Sequence, residues 1–188
     1  MTREDWLLKA TKELESQFFN RRTTKLPAVA VSCGIPKGSS NAIGQCWDAK
    51  VASDGTTQIF ICPSIDDTFQ VLGVLLHELC HAAVGVRYGH GPEFGRVARA
   101  VGLKGKLTAT VVEPESDTGK YLLKIQENLG LYPHKSINKR ADKKKGQRPK
   151  KVKLCSPNHP SYEITILQEL LTQGLPVDPW GDTMELSQ

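Results

Sequence analysis

From Val71 the chain runs through Leu72, Leu75, Leu76, Leu79, Ala82, Ala83 and Val86 at helical spacing, with His77-Glu78-Leu79-Cys80-His81 in the middle of the run. A helix that is apolar around most of its circumference has to be buried. Two imidazoles and a carboxylate are buried with it, and buried polar groups are costly without partners. The fold must therefore supply something polar at this one place. Positions i and i+4 share a helical face, so His77 and His81 can reach a common point, with Glu78 beside it. This is the spacing of two metal ligands and a glutamate that acts on water next to the ion. The bland alternative, two surface histidines and a solvated carboxylate, sits poorly on so apolar a helix.

A catalytic site of this kind takes three protein ligands and keeps one position open. The third candidate is His90, with Gly85 and Gly89 giving the chain room to turn back. His90 could instead only cap the helix that Gly91-Pro92 begins, and Glu113 or Glu115 could supply a carboxylate ligand. The longer pattern HExxHxxGxxH does not fit, because Gly85 comes one position late and residue 87 is Arg. Cys80 reads as a small buried residue rather than a fourth ligand.

Around this helix the pattern is that of a mixed α and β domain. Trp6, Leu7, Ala10, Leu14 and Phe18 predict an opening amphipathic helix over residues 3–19. Three strand-like segments follow, Ala28 to Cys33, Ala42 to Trp47 and Thr57 to Cys62, separated by glycine and proline turns. Pro63 to Asp67 supplies a stop and an N-cap for the central helix, which is expected to end near Gly89. A second helix carries Phe94, Val97, Ala98 and Val101. Leu107 to Val112 reads as a strand, Asp117 to about Leu129 as a helix, and the compact part closes at Gly130 to His134.

The 188 residues suit one domain with a small appendage. Five scattered cysteines with no CxxC pair suit a reducing cytoplasm rather than a disulfide scaffold. No stretch is apolar for long enough to span a membrane, and the charged N-terminus lacks the core of a signal peptide. The net charge of +5 is uneven. Residues 135–153 hold ten Lys or Arg and one acid, a charge of +9, which leaves the rest of the chain at −4. That segment reads as a basic, solvated linker. Lys143, Lys144, Lys145, Arg148, Lys150 and Lys151 are its candidate phosphate contacts, for binding that would be sequence-independent and salt-sensitive.

The stretch His77 to Gly85, followed by Gly89-His90-Gly91-Pro92-Glu93-Phe94, resembles the core of the SprT-like (SprT/Spartan) zinc metalloproteases. The resemblance extends to Val31-Ser32-Cys33-Gly34, Ile43-Gly44-Gln45-Cys46-Trp47, Ile59-Phe60-Ile61-Cys62-Pro63 and Leu129 to His134, and the pattern also looks like versions carried by phages. It implies an α+β, zincin-like (minigluzincin-type) domain over 1–134, with a small mixed sheet packed on helices. It also implies one catalytic Zn2+ held by His77, His81 and His90. Peptide bonds would be hydrolysed by a zinc-activated water with Glu78 as general base, in the cytoplasm, or the host cytoplasm for a phage member. The zincin comparison offers Thr57 to Cys62 as an edge strand to which an extended substrate adds. Tyr132 and His134 are candidates for stabilising an oxyanion, or are packing and surface residues.

Eukaryotic relatives of this type act on DNA-attached proteins, which makes DNA the expected partner of residues 135–153. Family members often end in a four-cysteine zinc ribbon. Residues 154–188 resemble one in layout, but Asp178 and Asp182 stand where cysteines are expected, leaving Cys155 and His159 as one candidate pair of a second metal site. A degenerate zinc-ribbon-like tail is expected. The rival reading is a non-proteolytic nucleic-acid-binding or regulatory protein with a structural zinc, which would have no use for Glu78.

Overall fold

The computed structural model describes residues 1–19, 25–38, 41–138 and 149–187. Their contacts group into two units, Met1–Lys139 and Arg140–Gln188.

In the first unit, helix α1 (Arg3–Leu14) starts at Thr2, whose hydroxyl accepts from the Asp5 amide while the Asp5 carboxylate accepts from the Thr2 amide. It continues into a π-helical turn, Glu15–Phe19, that carries Phe18 and Phe19 into the core. Strands β1 (Val29–Cys33), β2 (Gly44–Trp47) and β3 (Thr57–Ile61) form a mixed sheet in the order β1-β3-β2. β1 runs parallel to β3 and β2 antiparallel to it. Alternation along β3 turns Ile59 and Ile61 inward, and one face of the sheet packs on helix α2 (Thr68–Val84), which Asp67 caps by accepting from the Gln70 amide. Val71, Leu72, Leu75, Leu76, Leu79 and Cys80 are completely buried, so α2 is the axis of the core. Helix α3 (Pro92–Ala100), a hairpin of β4 (Lys104–Lys106) and β5 (Ala109–Val111), and helix α4 (Asp117–Leu129) complete the unit. This is the mixed α+β architecture expected.

Three expectations change. The central helix ends at Val84 rather than near Gly89, and a 3-10 turn, Val86–Tyr88, follows. Thr57 to Cys62 is not an edge strand: β3 is hydrogen-bonded on both sides and its ladder has no room for a further strand. The edge next to α2 is β2. Leu107 to Val112 contains only the second arm of a hairpin, whose first arm, Lys-Gly-Lys, is fully exposed and carries no apolar signal. The linker boundaries also shift. The Ser136 amide donates to Asp66 and the Ile137 amide to the Pro63 carbonyl, while Lys151 to Lys153 belong to a strand. Lys143, Lys144, Lys145 and Arg148 lie outside the described residues. Among those described, no helix is long and apolar enough to cross a membrane.

The second unit is a three-stranded antiparallel sheet, β7-β6-β8, of β6 (Lys151–Cys155), β7 (Glu163–Leu167) and β8 (Glu185–Leu186), with a 3-10 turn at Gln168–Gln173. Leu154 and Met184 are its buried apolar pair. Its closure is polar. The buried Asp178 accepts from the Ser156 hydroxyl at 2.6 Å and from the amides of Trp180 and Asp182, and the Ser156 hydroxyl accepts from the His159 amide. The bond from Ser156 holds the Asp178 carboxyl below the usual range. Among the described residues, Cys155 and His159 belong to no converging group of three ligands, and the His159 ring lies on Trp180, with centroids 3.9 Å apart. Asp178→Ala should therefore release the Trp180 and Asp182 amides to rapid hydrogen exchange while the amides of α2 keep their protection; unchanged protection in the second unit would show that Asp178 does not hold it closed.

Candidate metal centre

Two turns of α2 and one glycine-shaped loop build the site. His77 and His81 project from the same face of α2. The chain then reverses through Gly85 (φ +95°) and Gly89 (φ +48°), conformations that L side chains rarely adopt, and delivers His90 opposite them. The Nε2 atom of His90 lies 3.3 Å from that of His77 and 3.2 Å from that of His81. Phe94, fully buried on α3, forms the floor. Its ring stacks on His81 at 4.2 Å and lies 4.9 Å from His77 and 5.1 Å from His90. The phenylalanine of the GHGPEF motif thus supports all three imidazoles.

The donor set fits a zinc ion. Tetrahedral ligation at about 2.0–2.1 Å places ligand nitrogens roughly 3.3 Å apart, close to the spacing seen. Burial and the neighbouring imidazoles push His77 down to about 4 and His81 to about 3, so both are neutral near pH 7, the form in which an imidazole can ligate. Among the described residues, His77, His81 and His90 are the only group of three or more metal-ligating side chains that converges. Glu113 is engaged with Lys104 at 2.5 Å and Glu115 is exposed; neither joins the group. Cys80 is fully buried in the core, where its thiol is pushed above its ordinary range.

Glu78 is only 6% exposed and reaches the site from the same helix, beside the backbone of β2. Gly44 makes that approach possible, since a Cβ there would stand 2.5 Å from Glu78 Oε1 and 2.6 Å from Val74. Burial raises the Glu78 carboxyl to about 8. A nearby dication would oppose that shift and favour the ionised form.

One contributor was missed from the sequence. Thr110, on β5, lies 2.8 Å from His77 through its hydroxyl and the ring Nδ1. With Nε2 free to ligate, Nδ1–H donates to Thr110, which fixes both tautomer and ring orientation. Nothing local marks this threonine, because it meets His77 only through tertiary folding. Tyr132 and His134 are not at the site. Tyr132 is buried against Trp6, while His134 lies within hydrogen-bonding reach of the Pro63 carbonyl.

The three imidazoles and Glu78 open into a cleft of about 500 Å³. One wall is Ile43, Gly44 and Cys46 on and beside β2, and the other is Thr108, Ala109 and Thr110 of the hairpin. A buried helix that presents two imidazoles and a carboxylate to an open cleft, met there by a third imidazole from the following loop, is a metalloprotease-type arrangement. The SprT-like family model matches residues 7–113, more than half of the chain, and the chain belongs to the SprT-like family. No curated protein and no solved structure matches it.

Two outcomes test the site. Thr110→Val should weaken zinc binding by about tenfold or more in a competition titration, with Thr110→Ser keeping most of the affinity; equal affinity for all three proteins would remove Thr110 from the site. In metal-free protein the raised Glu78 favours folding fully below its ordinary range near 4.5, and this contribution is lost as pH climbs through about 8. The lowered His77 and His81 act oppositely, their contribution present above 6.5 and lost as pH falls through about 4 and 3. Glu78→Gln should thus stabilise the metal-free protein at pH 8 by on the order of 4 kcal/mol and leave it nearly unchanged at pH 4.5, read by urea unfolding.

Proposed function

We propose that this chain is a zinc-dependent endopeptidase acting on extended segments of protein, including proteins held on DNA. The convergence of three neutral imidazoles beside the buried carboxylate of Glu78 carries the reading. A structural zinc site needs only ligands, whereas here a carboxylate is buried next to the ligand nitrogens at a cost. Zinc held by His77, His81 and His90 would supply a Lewis acid that acidifies a water and polarises the scissile carbonyl.

Glu78 takes the proton of the attacking water on its carboxylate and returns it to the leaving amine. Its burial beneath β2 excludes bulk water and keeps the proton local. Thr110 and Phe94 hold His77 and His81 in orientation, and the loop set by Gly85 and Gly89 holds His90. A zincin-type arrangement places an extended substrate along an edge strand, and β2 takes that role in place of β3. The Ile43 carbonyl accepts from the Cys62 amide, so by antiparallel alternation Ile43, Gln45 and Trp47 bond to β3. Gly44 and Cys46 then turn their backbone groups to the free edge, where a peptide can pair with them. DNA association rests on the basic segment at 135–153, of which Lys150 and Lys151 are exposed at the start of β6. That contact would be made with phosphates and would fall with salt.

The test is cleavage of an unfolded protein and of a DNA-crosslinked protein by wild type and Glu78→Gln, both loaded with zinc. Loss of about 100-fold or more is expected for the variant, and removal of zinc by a chelator should abolish cleavage. Equal rates for wild type and variant would end the general-base assignment. If DNA recruits the substrate, replacing the basic residues of 135–153 by Gln should slow cleavage of the DNA-linked protein alone.

A further inference from the structure

β2 has two faces, and only one of them belongs to the cleft. Gly44 and Cys46 lie on the α2 side, where Cys46 is buried and Gly44 abuts Glu78. Gln45 and Trp47, alternating with them, stand on the outer face of the sheet. That face carries a second hollow of about 320 Å³, floored by Trp47 and Phe60 and flanked by Ile35 and Val51. The two aromatic rings meet edge to face with centroids 6.5 Å apart. Ile35 and Val51 are 66% and 60% exposed, an unusual state for two apolar side chains beside an aromatic floor. The Trp47 indole N–H is buried and has no hydrogen-bond partner among the described residues. The hollow is also held in shape. Gln45 closes its amide on the loop above, accepting from the Lys37 amide at 2.8 Å and donating to the Lys37 carbonyl at 3.1 Å.

Gln45 lines both this hollow and the metal-side cleft, so the two are joined through β2. A peptide added to the β2 edge continues the sheet, and its side chains alternate between faces. Residues opposite Gly44 and Cys46 point to the metal side. Residues opposite Gln45 and Trp47 point to the outer face, alongside Trp47. We propose that the Trp47 hollow is a specificity subsite of the peptidase proposed above: it takes a large apolar or aromatic side chain of an extended substrate, at a position alternating with those that face the metal. The occupant is peptide rather than single-stranded nucleic acid. Among the described residues the one cation at the hollow is Lys37, whose ammonium lies 5.9 Å from the centre of the Trp47 ring, too little charge to track a phosphate backbone.

The inference rests on the peptidase reading, and binding separates the two. Fluorescently labelled unstructured peptides on an Ala/Ser/Thr background, differing only in a Gly, Asp, Leu or Phe at one position moved stepwise along the chain, are titrated into the full-length, zinc-loaded Glu78→Gln protein. Leu and Phe peptides should bind about tenfold more tightly than the Gly peptide at alternating positions. Ile35→Ser and Val51→Ser, both surface changes outside the catalytic machinery, should reduce that preference to about twofold and leave the Gly peptide unaffected. A flat preference, or the same preference in the variants, overturns the subsite. So does displacement of the peptide by oligothymidine, which would make the hollow a nucleic-acid site. Cleavage of casein by wild type is measured alongside: cleavage with a flat preference sinks the subsite alone, whereas neither cleavage nor binding sinks both readings.

Discussion

The first unit is organised by a conflict within α2. Its leucines and valines make it the most buried element of the unit, and that same burial carries His77, Glu78 and His81 out of water. Polar groups in such a place cost free energy unless something answers them, and each neighbouring element contributes part of the answer. The glycine loop brings His90 across, α3 puts Phe94 beneath the imidazoles, β5 offers the Thr110 hydroxyl, and β2 thins to a glycine so that Glu78 has room. The direction of the shifts follows from the same burial. It disfavours charge on imidazole and carboxylate alike, so the histidines are left neutral and able to ligate, while Glu78 depends on a cation to ionise at neutral pH. The arrangement is therefore incomplete as a purely apolar core and coherent as a metal centre.

What was legible in the sequence was whatever depends on local geometry. The i, i+4 spacing of His77 and His81, the Pro-initiated α3, the helix from Asp117 and the two glycines before His90 are all short-range rules, and the fold has those elements close to where the rules put them. The features missed are those settled by pairing at a distance. Thr57 to Ile61 has the β-branched, aromatic composition of a strand, but composition does not reveal whether a strand is flanked on one side or two. Its strongly apolar alternation in fact suits a central strand better than an edge, and the shorter Gly-Gln-Cys-Trp segment takes the edge. Thr110 was invisible for a related reason. Its neighbours Ala109 and Val111 are exposed, and only the closure of the hairpin over α2 gives its hydroxyl a purpose.

The second unit shows how a small sheet can be closed without thiolates. Below roughly 40 residues a domain usually needs a metal, disulfides or oligomerisation, because its core is too small. Here the apolar contribution is slight, centred on Leu154 and Met184, and the ring of hydrogen bonds around Asp178 joins Ser156 to the turn at Trp180 and Asp182. Asp178 stands where a ribbon cysteine was expected, and its two oxygens accept from a hydroxyl and from backbone amides. An anionic residue thus gathers donors, a hydroxyl and two backbone amides, and closes the sheet through hydrogen bonds.

β2 carries the largest share of functional constraint for its length. Gly44 must lack a side chain so that Glu78 can approach, and Cys46 must be small enough to sit in the core beside α2. Gln45 must reach back to clamp the Lys37 loop, and Trp47 must cover the outer face. Inward constraints fall on residues 44 and 46 and outward ones on 45 and 47, the period of two that a strand imposes. An edge strand whose partner is absent has its backbone groups on offer, and ordinary proteins blunt such edges with charge, proline or a bulge. β2 itself has none of these along Gly-Gln-Cys-Trp, and under the function proposed above its open edge receives a chain in extended form, with recognition divided between the two faces of a single strand.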